Sequence, residues 1–291
     1  MRASQRLLLK TTIGPVEDDW HVGRFSRLTG HLRSLRGDDG EPLYAVTARD
    51  REEDAAGNDV DLTAFAEDGF DQLWLLAVDV VGALTETDAA HIEAAQQAGR
   101  GVLLTRDHQD LGACLTKLGS IGQAQHFHSV NPDPDAARCR RDDTGTPSID
   151  WPNYHSGDNG DVQTIETPEP SHPIVRRASG EPITRLPSHP HEGEVGVPPP
   201  LKDYAAVIAV GTSKVTGARF NIAVAIEGPG RGRAVADSSF HHLCDFNWDP
   251  RLGKPSFVTE TPADAVIRDP GVLADTRRYV ENIAAWLGRR I

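Results

Sequence analysis

Three short stretches of this 291-residue chain concentrate histidine and carboxylate side chains. They are Arg106-Asp107-His108, the segment from Ser188 to Glu192, and the segment from Phe240 to Asp245. Imidazole and carboxylate groups move protons in enzymes and are the usual protein ligands of zinc, iron or manganese. We therefore predict that catalysis is carried by Asp107, His108 and His241. We predict that one divalent metal (Zn, Fe or Mn) could be held by His189, His191, Glu192, His242 and Asp245.

The spacing of these residues leaves simpler roles open. No His-Glu-x-x-His pattern is present, and adjacent residues of an extended chain point in opposite directions, so at most one of His241 and His242 would face a given ligand. Both histidines could instead bond backbone groups at the end of a strand, and His189 and His191 could be exposed loop residues. Asp107 could cap a helix that follows it.

The elements that would position these residues follow an alternating strand and helix order. Apolar runs predict strands over 6–12, 43–47, 72–78 and 101–105, and the helical spacing of apolar residues predicts a helix over 22–35. Thr85 and Asp88 resemble a capping box that starts a helix ending at Gly99, and a turn that enters a further helix is expected over Asp107 to Leu118. Later segments predict a hairpin over 205–225, a strand over 232–237 and a C-terminal helix after 269–271. This order is typical of a doubly wound α/β fold with a mostly parallel sheet and helices on both faces.

Residues 126–200 break this regularity. They hold 13 of the 20 prolines and 6 of the 12 histidines and show little periodicity. A stretch of this length inside a compact domain is usually functional or disordered. We interpret residues 1–291 as a single domain, with 126–200 as a long, ordered, inserted loop region that lies over one end of the sheet. Because ligands of such sheets bind beyond the carboxyl ends of the strands, the three polar stretches could meet there.

Composition excludes several classes of protein. The net charge of −13 disfavours a nucleic-acid partner, and no apolar run is long enough to cross a membrane. The basic start, Met1 to Arg6, is followed by too short an apolar run for a signal peptide, and three cysteines without Cys-x-x-Cys spacing favour a reducing cytoplasm. No P-loop, Gly-x-Gly-x-x-Gly or Gly-x-Ser-x-Gly pattern is present, so no nucleotide cofactor is indicated. The expected ligand is a small molecule, and a homo-oligomer is possible.

Two segments resemble a known superfamily. The strand, turn and helix over 99–112, and the late strand over 233–242 with its terminal histidine, are similar to the class I glutamine amidotransferase-like superfamily, most closely its ThuA-like (trehalose-utilisation type) branch. The resemblance covers about 70–118 and 205–245 and implies a flavodoxin-like fold. It also implies a cysteine on a tight elbow after a central strand and a His-Pro-Glu segment after a late strand.

The chain departs from the superfamily at both places. Arg106-Asp107-His108 stand at the elbow, Cys114 lies about two helical turns downstream, and His242-Leu243 replace the proline and glutamate. Since glutaminase chemistry needs a thiolate beside its base, we predict that the protein is not a cysteine-dependent glutaminase. Two functions remain: a hydrolase or isomerase of a small sugar-like or amide substrate, or a non-catalytic ligand-binding or protein-interaction scaffold.

Overall fold

A computed structural model describes residues 4–80 and 82–291, so Met1 to Ala3 of the basic start lie outside the described part. The strands are β1 (Gln5–Thr11), β2 (Tyr44–Arg49), β3 (Gln72–Leu76), β4 (Gly101–Thr105), β5 (Gln125–His126), β6 (Val162–Thr164), β7 (Arg185–Pro187), β8 (Glu194–Val195), β9 (Ala205–Thr212), β10 (Arg219–Ile226) and β11 (Ala234–Asp237). The α-helices are α1 (Ser26–Ser34), α2 (Val60–Ala64), α3 (Glu86–Gln97), α4 (Gly119–Gly122), α5 (Asp245–Trp248), α6 (Ala265–Arg268) and α7 (Pro270–Leu287).

Seven strands form the central sheet, in the order β2-β1-β3-β4-β11-β10-β9. The first five pair in parallel, and β10 runs antiparallel to both β11 and β9. The sheet is therefore mostly parallel, and the late hairpin forms one edge. This confirms the predicted flavodoxin-like α/β class.

Both faces of the sheet are covered because the buried strands present apolar side chains in alternating directions. Leu7 and Leu9 of β1 pack into one apolar cluster with residues of α1 and α7, whereas Leu8 packs into a second cluster with residues of α2 and α3. Helix α3 begins as its sequence predicts: Thr85 accepts a hydrogen bond from the Asp88 amide, and the Asp88 side chain accepts one from the Thr85 amide.

The turn predicted after Asp107 is present over 109–112, but the helix that it enters is shorter than the sequence predicts. Only 113–117 form a short 3-10 helix, and Asp107 caps no helix. Gly112 lies at φ +81°, where a side chain would press against Ala77, so the chain turns there. The Gln109 amide donates to the carbonyl of Pro152 in the inserted region. This amide is therefore not available to an Asp107 side chain that would cap a helix.

The inserted region is ordered but irregular. It contains two small antiparallel sheets, β5 with β8 and β6 with β7. Apolar residues of the region, Ile165, Ile174 and Leu186, belong to the same cluster as α1 and α7. Tyr154 stacks on Phe220 of β10 with ring centroids 4.6 Å apart, so the region is pinned to the sheet. In the described part of the chain, no helix has the length and apolarity needed to cross a membrane.

Candidate active site

Two neighbouring parallel strands bring the first two stretches together. Thr105 at the end of β4 lies opposite Asp237 at the end of β11, so the residues that follow both strands lie at one edge of the sheet. The chain after β11 turns into a short 3-10 helix over Phe240–His242, and the Phe240 amide donates to the carbonyl of Arg106. This bond fixes the backbone beside Asp107 against the backbone beside His241.

The inserted region delivers the third stretch. Ser156 binds the backbone of His189 on both sides: its amide and hydroxyl donate to the His189 carbonyl, and its hydroxyl accepts from the His189 amide. The His189 ring stacks on the His241 ring with centroids 3.4 Å apart and planes 16° apart. The three distant stretches therefore meet, as the sequence pattern predicts.

Asp107 lies at the centre of this meeting point. Its Oδ2 atom is 3.4 Å from Nε2 of His241 and 4.0 Å from Nε2 of His108, and its Oδ1 atom is 3.9 Å from Nδ1 of His189. Donor atoms of Asp107, His189 and His241 all lie within 4.8 Å of one another. All three side chains are buried, so the cluster works in a medium of low polarity.

Asn247 of α5 sets the proton on His241. The Asn247 side-chain nitrogen donates to the carbonyl of Ser188 and to Oδ1 of Asn159, which leaves its Oδ1 atom directed at His241. That oxygen lies 3.3 Å from Nδ1 of His241 and can only accept, so Nδ1 carries a proton. Nε2 then faces the Asp107 carboxylate, another acceptor, and a shared proton or cation must lie between the two.

Burial changes the charge of the other two histidines. Nδ1 of His189 accepts the amide of His191, so the ring proton lies on Nε2. Burial lowers the pKa of His189 well below its usual value, and the neighbouring ring of His241 acts in the same direction. Burial likewise lowers the pKa of His108 to about 4. Both rings are therefore neutral at neutral pH.

Asp107 stays charged despite its burial. Burial alone would raise the pKa of this carboxyl, but the positive charge that His108, His241 and His189 acquire in acid, together with a hydrogen bond from His241, outweighs it and holds the pKa below the usual range. Oδ1 of Asp107 is buried and has no hydrogen-bond partner. An unpartnered carboxylate oxygen of this kind is the natural position for a bound water, a substrate proton or a cation.

The cluster forms the floor of a cleft of about 510 Å³, a size typical of small-molecule sites. Its walls are mainly apolar and include Ile13, Trp20, Val78, Leu111, Phe240 and Phe257. Trp20 meets the His241 ring edge-on with centroids 4.8 Å apart.

The segment 254–260 closes one side of the cleft. Asp18 accepts hydrogen bonds from the Ser256 amide and hydroxyl, and Glu260 lies 3.1 Å from Nε2 of His191. Nδ1 of His191 lies 3.2 Å from Oδ1 of Asn153. His191 therefore lines the cleft and joins the inserted region to this segment.

Glu192 and His242, both proposed as ligands from sequence, belong to a separate buried network behind the cleft. Nδ1 of His242 lies 2.8 Å from the carboxylate of Asp237, and its Nε2 lies 3.5 Å from Glu192 and 3.3 Å from Oε1 of Gln163. Burial lowers the pKa of His242, but the two carboxylates outweigh it and raise the pKa to about 10. The ring is thus a buried cation between two anions, which corrects its placement in the cluster.

Asp245, the remaining proposed ligand, is also placed elsewhere. Its carboxylate accepts hydrogen bonds from the amides of Ser26 and Arg27 and from the Ser26 hydroxyl. It therefore satisfies the first amides of α1, as an acidic side chain at a helix N-terminus does. Both oxygens are used in this contact, so Asp245 is not available to the cluster.

The three cysteines lie away from the cleft lining. Cys244 is buried and donates to Oδ1 of Asn247, and burial raises the pKa of its thiol. Burial also raises the pKa of Cys114, whose thiol donates to Asp79. Cys139 lies in the inserted region, and burial again raises its pKa. A thiolate nucleophile has no support in these surroundings.

The donor types of Asp107, His189 and His241 fit a divalent metal, but the ring orientations fit it only in part. A metal lies in the plane of each imidazole that binds it, and two nearly parallel rings cannot both meet this condition. Nδ1 of His189 is in addition engaged by a backbone amide. One of the two rings would have to turn before both histidines could bind the same ion.

Sequence reasoning missed the residues that shape the site around the cluster. Trp20 and Glu260 contact His241 and His191, which lie far away in the chain, and the side chain of Asn247 is oriented by the equally distant Ser188 and Asn159. The pair Phe246-Asn247 directly follows the candidate segment 240–245, and this proximity was the only available hint for Asn247.

Comparison with known proteins places the fold. No protein-family model matches the sequence, and no curated protein matches it as a relative. Among solved structures, the mmIFT52 N-terminal domain is 12% identical, with 97% of this chain and 96% of that chain covered and a TM-score of 0.54. The glutaminase domain of Trypanosoma brucei CTPS, solved with bound acivicin, is 14% identical, with 99% and 94% covered and a TM-score of 0.50.

A ThuA-like protein from Parabacteroides merdae is also similar, at 12% identity, with 98% and 90% covered and a TM-score of 0.47. At these identities the likeness concerns the fold alone. The chain shares the fold of the CTPS glutaminase domain and of the mmIFT52 N-terminal domain, which agrees with the fold that the resemblance implied. The chemistry has to be argued from the site itself.

Proposed function

We propose that the protein is a hydrolase of small molecules in which Asp107 and His241 act as a proton-transfer pair. The observation that carries the proposal is the chain of contacts from Asn247 through His241 to Asp107 at the floor of an apolar cleft. A proton between Nε2 of His241 and Oδ2 of Asp107 satisfies two acceptors that would otherwise repel each other. The pair then supplies one cleft with a base and an acid, the two roles that hydrolysis of an amide or glycosidic bond uses.

In the proposed reaction, Oδ1 of Asp107 accepts a proton from a water molecule as the water oxygen bonds to the electrophilic carbon of the substrate. His241 donates its Nε2 proton to the leaving nitrogen or oxygen as the bond to that atom breaks. The proton on Asp107 then passes to Nε2 of His241, which restores the starting state. Water is consumed, and the products are the two fragments of the substrate.

Two neighbouring features support this reaction. Asn247 holds His241 through Nδ1 and thereby keeps Nε2 directed at Asp107. The neutral His189 ring lines the cleft and carries its proton on Nε2, so it can donate a hydrogen bond to a substrate oxygen that becomes negative.

The test is a panel of chromogenic amides and glycosides assayed with the wild-type protein and three variants. We expect Asp107→Asn and His241→Gln to lower kcat by about 10²–10⁴-fold. His91→Gln, on the exposed face of α3, is the matched control and should retain full activity. Thermal unfolding of each variant shows that lost activity is not lost fold.

Full activity of His241→Gln would contradict the proposed mechanism. Specific ligand binding by the wild-type protein without turnover of any substrate would contradict hydrolysis altogether. That result would favour the non-catalytic ligand-binding or scaffold function.

A metal-dependent form of the same hydrolase is the second candidate. It is favoured by the three donor atoms within 4.8 Å and by the unpartnered Oδ1 of Asp107. A divalent metal there would be held by Asp107 with His241 and His189 and would supply an activated water. Elemental analysis of the purified protein distinguishes the two forms: a stoichiometric metal that is lost in Asp107→Asn supports this candidate, and its absence supports the proton-transfer pair.

A further inference from the structure

The cleft has an unbalanced charge. Its described lining residues include three carboxylates, Asp19, Asp107 and Glu260, and neither a lysine nor an arginine. Lys254 is close to Glu260, but its ammonium group donates to the carbonyls of Val258 and Glu260 and does not line the cleft.

The histidines offset this charge only in part. His241 is paired with Asp107, and His191 faces Glu260. His108 and His189 also lie against Asp107, with ring nitrogens 4.0 and 3.9 Å from its carboxylate oxygens. Asp19 is the carboxylate of the described lining that contacts none of these four histidines.

Asp19 has no cationic partner among the described residues. Its Oδ1 atom accepts the amide of Trp20, and its partial exposure leaves the carboxylate open to the cleft. A second observation also indicates a ligand at this site: the buried Oδ1 of Asp107 lacks any hydrogen-bond partner and belongs to the same lining. A bound molecule that brings a hydrogen-bond donor or a positive charge would satisfy both groups.

The walls add a preference of their own. Trp20, Phe240 and Phe257 all line the cleft, and Phe257 is 58% exposed, so its ring is open to a bound molecule. Aromatic faces attract ammonium groups as well as apolar groups, and an anion gains nothing from them. The charge and the walls therefore select the same kind of molecule.

We propose that the cleft takes substrates in which an apolar group carries a protonated amine, and that Asp19 binds the ammonium group. This proposal rests on the proposed function only in calling the ligand a substrate. The binding preference itself does not depend on turnover. Anionic analogues are disfavoured because the described lining offers neither a lysine nor an arginine to pair with them.

The test uses three inert ligands of nearly equal size: 3-phenylpropylamine, 3-phenylpropanol and 3-phenylpropanoate. Affinities are measured by calorimetry or ligand-observed NMR at neutral pH and low salt. We expect the amine to bind about tenfold more tightly than the alcohol and the carboxylate to bind most weakly. In Asp19→Asn the ratio of amine to alcohol affinity should fall to near one, whereas Asp38→Asn, the same charge change at an exposed site outside the cleft, should keep the wild-type ratio.

Each outcome bears on one proposal. Equal or stronger binding of the carboxylate, or an unchanged ratio in Asp19→Asn, overturns the assignment of the ammonium site, whatever the enzyme assay shows. A clear preference for the amine together with no hydrolysis of amine-bearing amides keeps this inference and refutes the hydrolase.

Discussion

His242 is a buried cation that links a carboxylate of the inserted region to a carboxylate of the central sheet. It is fully buried and lies between Asp237, at the end of β11, and Glu192 of the inserted region. Replacing it with leucine, which is similar in volume, removes the cation and leaves two buried carboxylates. Removal of one partner from a buried ion pair costs about 3–5 kcal/mol because the remaining charge is left without compensation.

The surroundings explain why the cost of His242→Leu should fall in that range. Asp237 keeps hydrogen bonds from the Ser239 amide and the Tyr279 hydroxyl, so the removal of the His242 cation raises the free energy of this carboxylate less. Glu192 keeps only contacts of 3.2 and 3.4 Å with the hydroxyls of Ser156 and Ser238. A loss of about 3–5 kcal/mol would be a large part of the usual 5–15 kcal/mol for a domain.

The assay is equilibrium urea unfolding followed by fluorescence, with His91→Leu on exposed α3 as the matched control. The control should change the free energy of unfolding by no more than about 0.5 kcal/mol. Adding Glu192→Gln to His242→Leu should recover about 1–3 kcal/mol relative to the sum of the single changes, because one of the stranded charges is gone. If His242→Leu does not fold, the comparison is made with His242→Gln.

A loss below about 1 kcal/mol in His242→Leu, or strict additivity with Glu192→Gln, would refute the assignment of a charged network.

Three further predictions follow from single contacts. Asn247→Ala should lower kcat by about 10–100-fold with little change in KM, because His241 loses the acceptor that orients it; an equal effect on KM would contradict a positioning role. Burial lowers the pKa of His172 to about 4, whereas the pKa of the same group in the unfolded chain is near 6.5. The unfolded chain therefore binds a proton more readily, and the free energy of unfolding is unaffected by this group above pH 6.5 but falls as the pH drops from there toward 4. His172→Asn should therefore flatten the acid limb of the unfolding free energy relative to wild type, and parallel limbs would count against this. Gly232→Ala should cost about 1–3 kcal/mol because its Cβ would overlap the Arg100 carbonyl, whereas Gly14→Ala, with open space around it, should be near neutral in thermal unfolding.

Local pattern was sufficient for the regular elements of the fold. The continuous apolar runs of β3 and β4 predict strands covered on both faces, and the pair Thr85 and Asp88 predicts the start of α3, because these signals depend on neighbours within one or two turns of chain. The length and type of the helix within 107–118 were not predictable, because the inserted region and not the local sequence decides the backbone there.

The candidate site was predictable to the level of segments. Parallel strands end at one edge, so Asp107 and His241, which follow adjacent strands, had to lie near each other once the strand order was known. Side-chain direction was not predictable for Glu192, which lies in no helix or strand, or for His242, which ends a 3-10 helix of three residues that is too short to show a periodicity. Asp245 starts a four-residue helix, yet its carboxylate binds α1, more than 200 positions away in the chain.

The amino-acid sequence by itself determined the order of strands and helices and the strand ends that carry histidine and carboxylate groups, since both depend on short-range spacing. Only the tertiary structure decided that His242 neutralises a buried network while its neighbour His241 faces the cleft. The physical reason is that the environment of a side chain outside regular structure is set by long-range packing, as when Asn247 fixes the proton on His241 through contacts with Ser188 and Asn159.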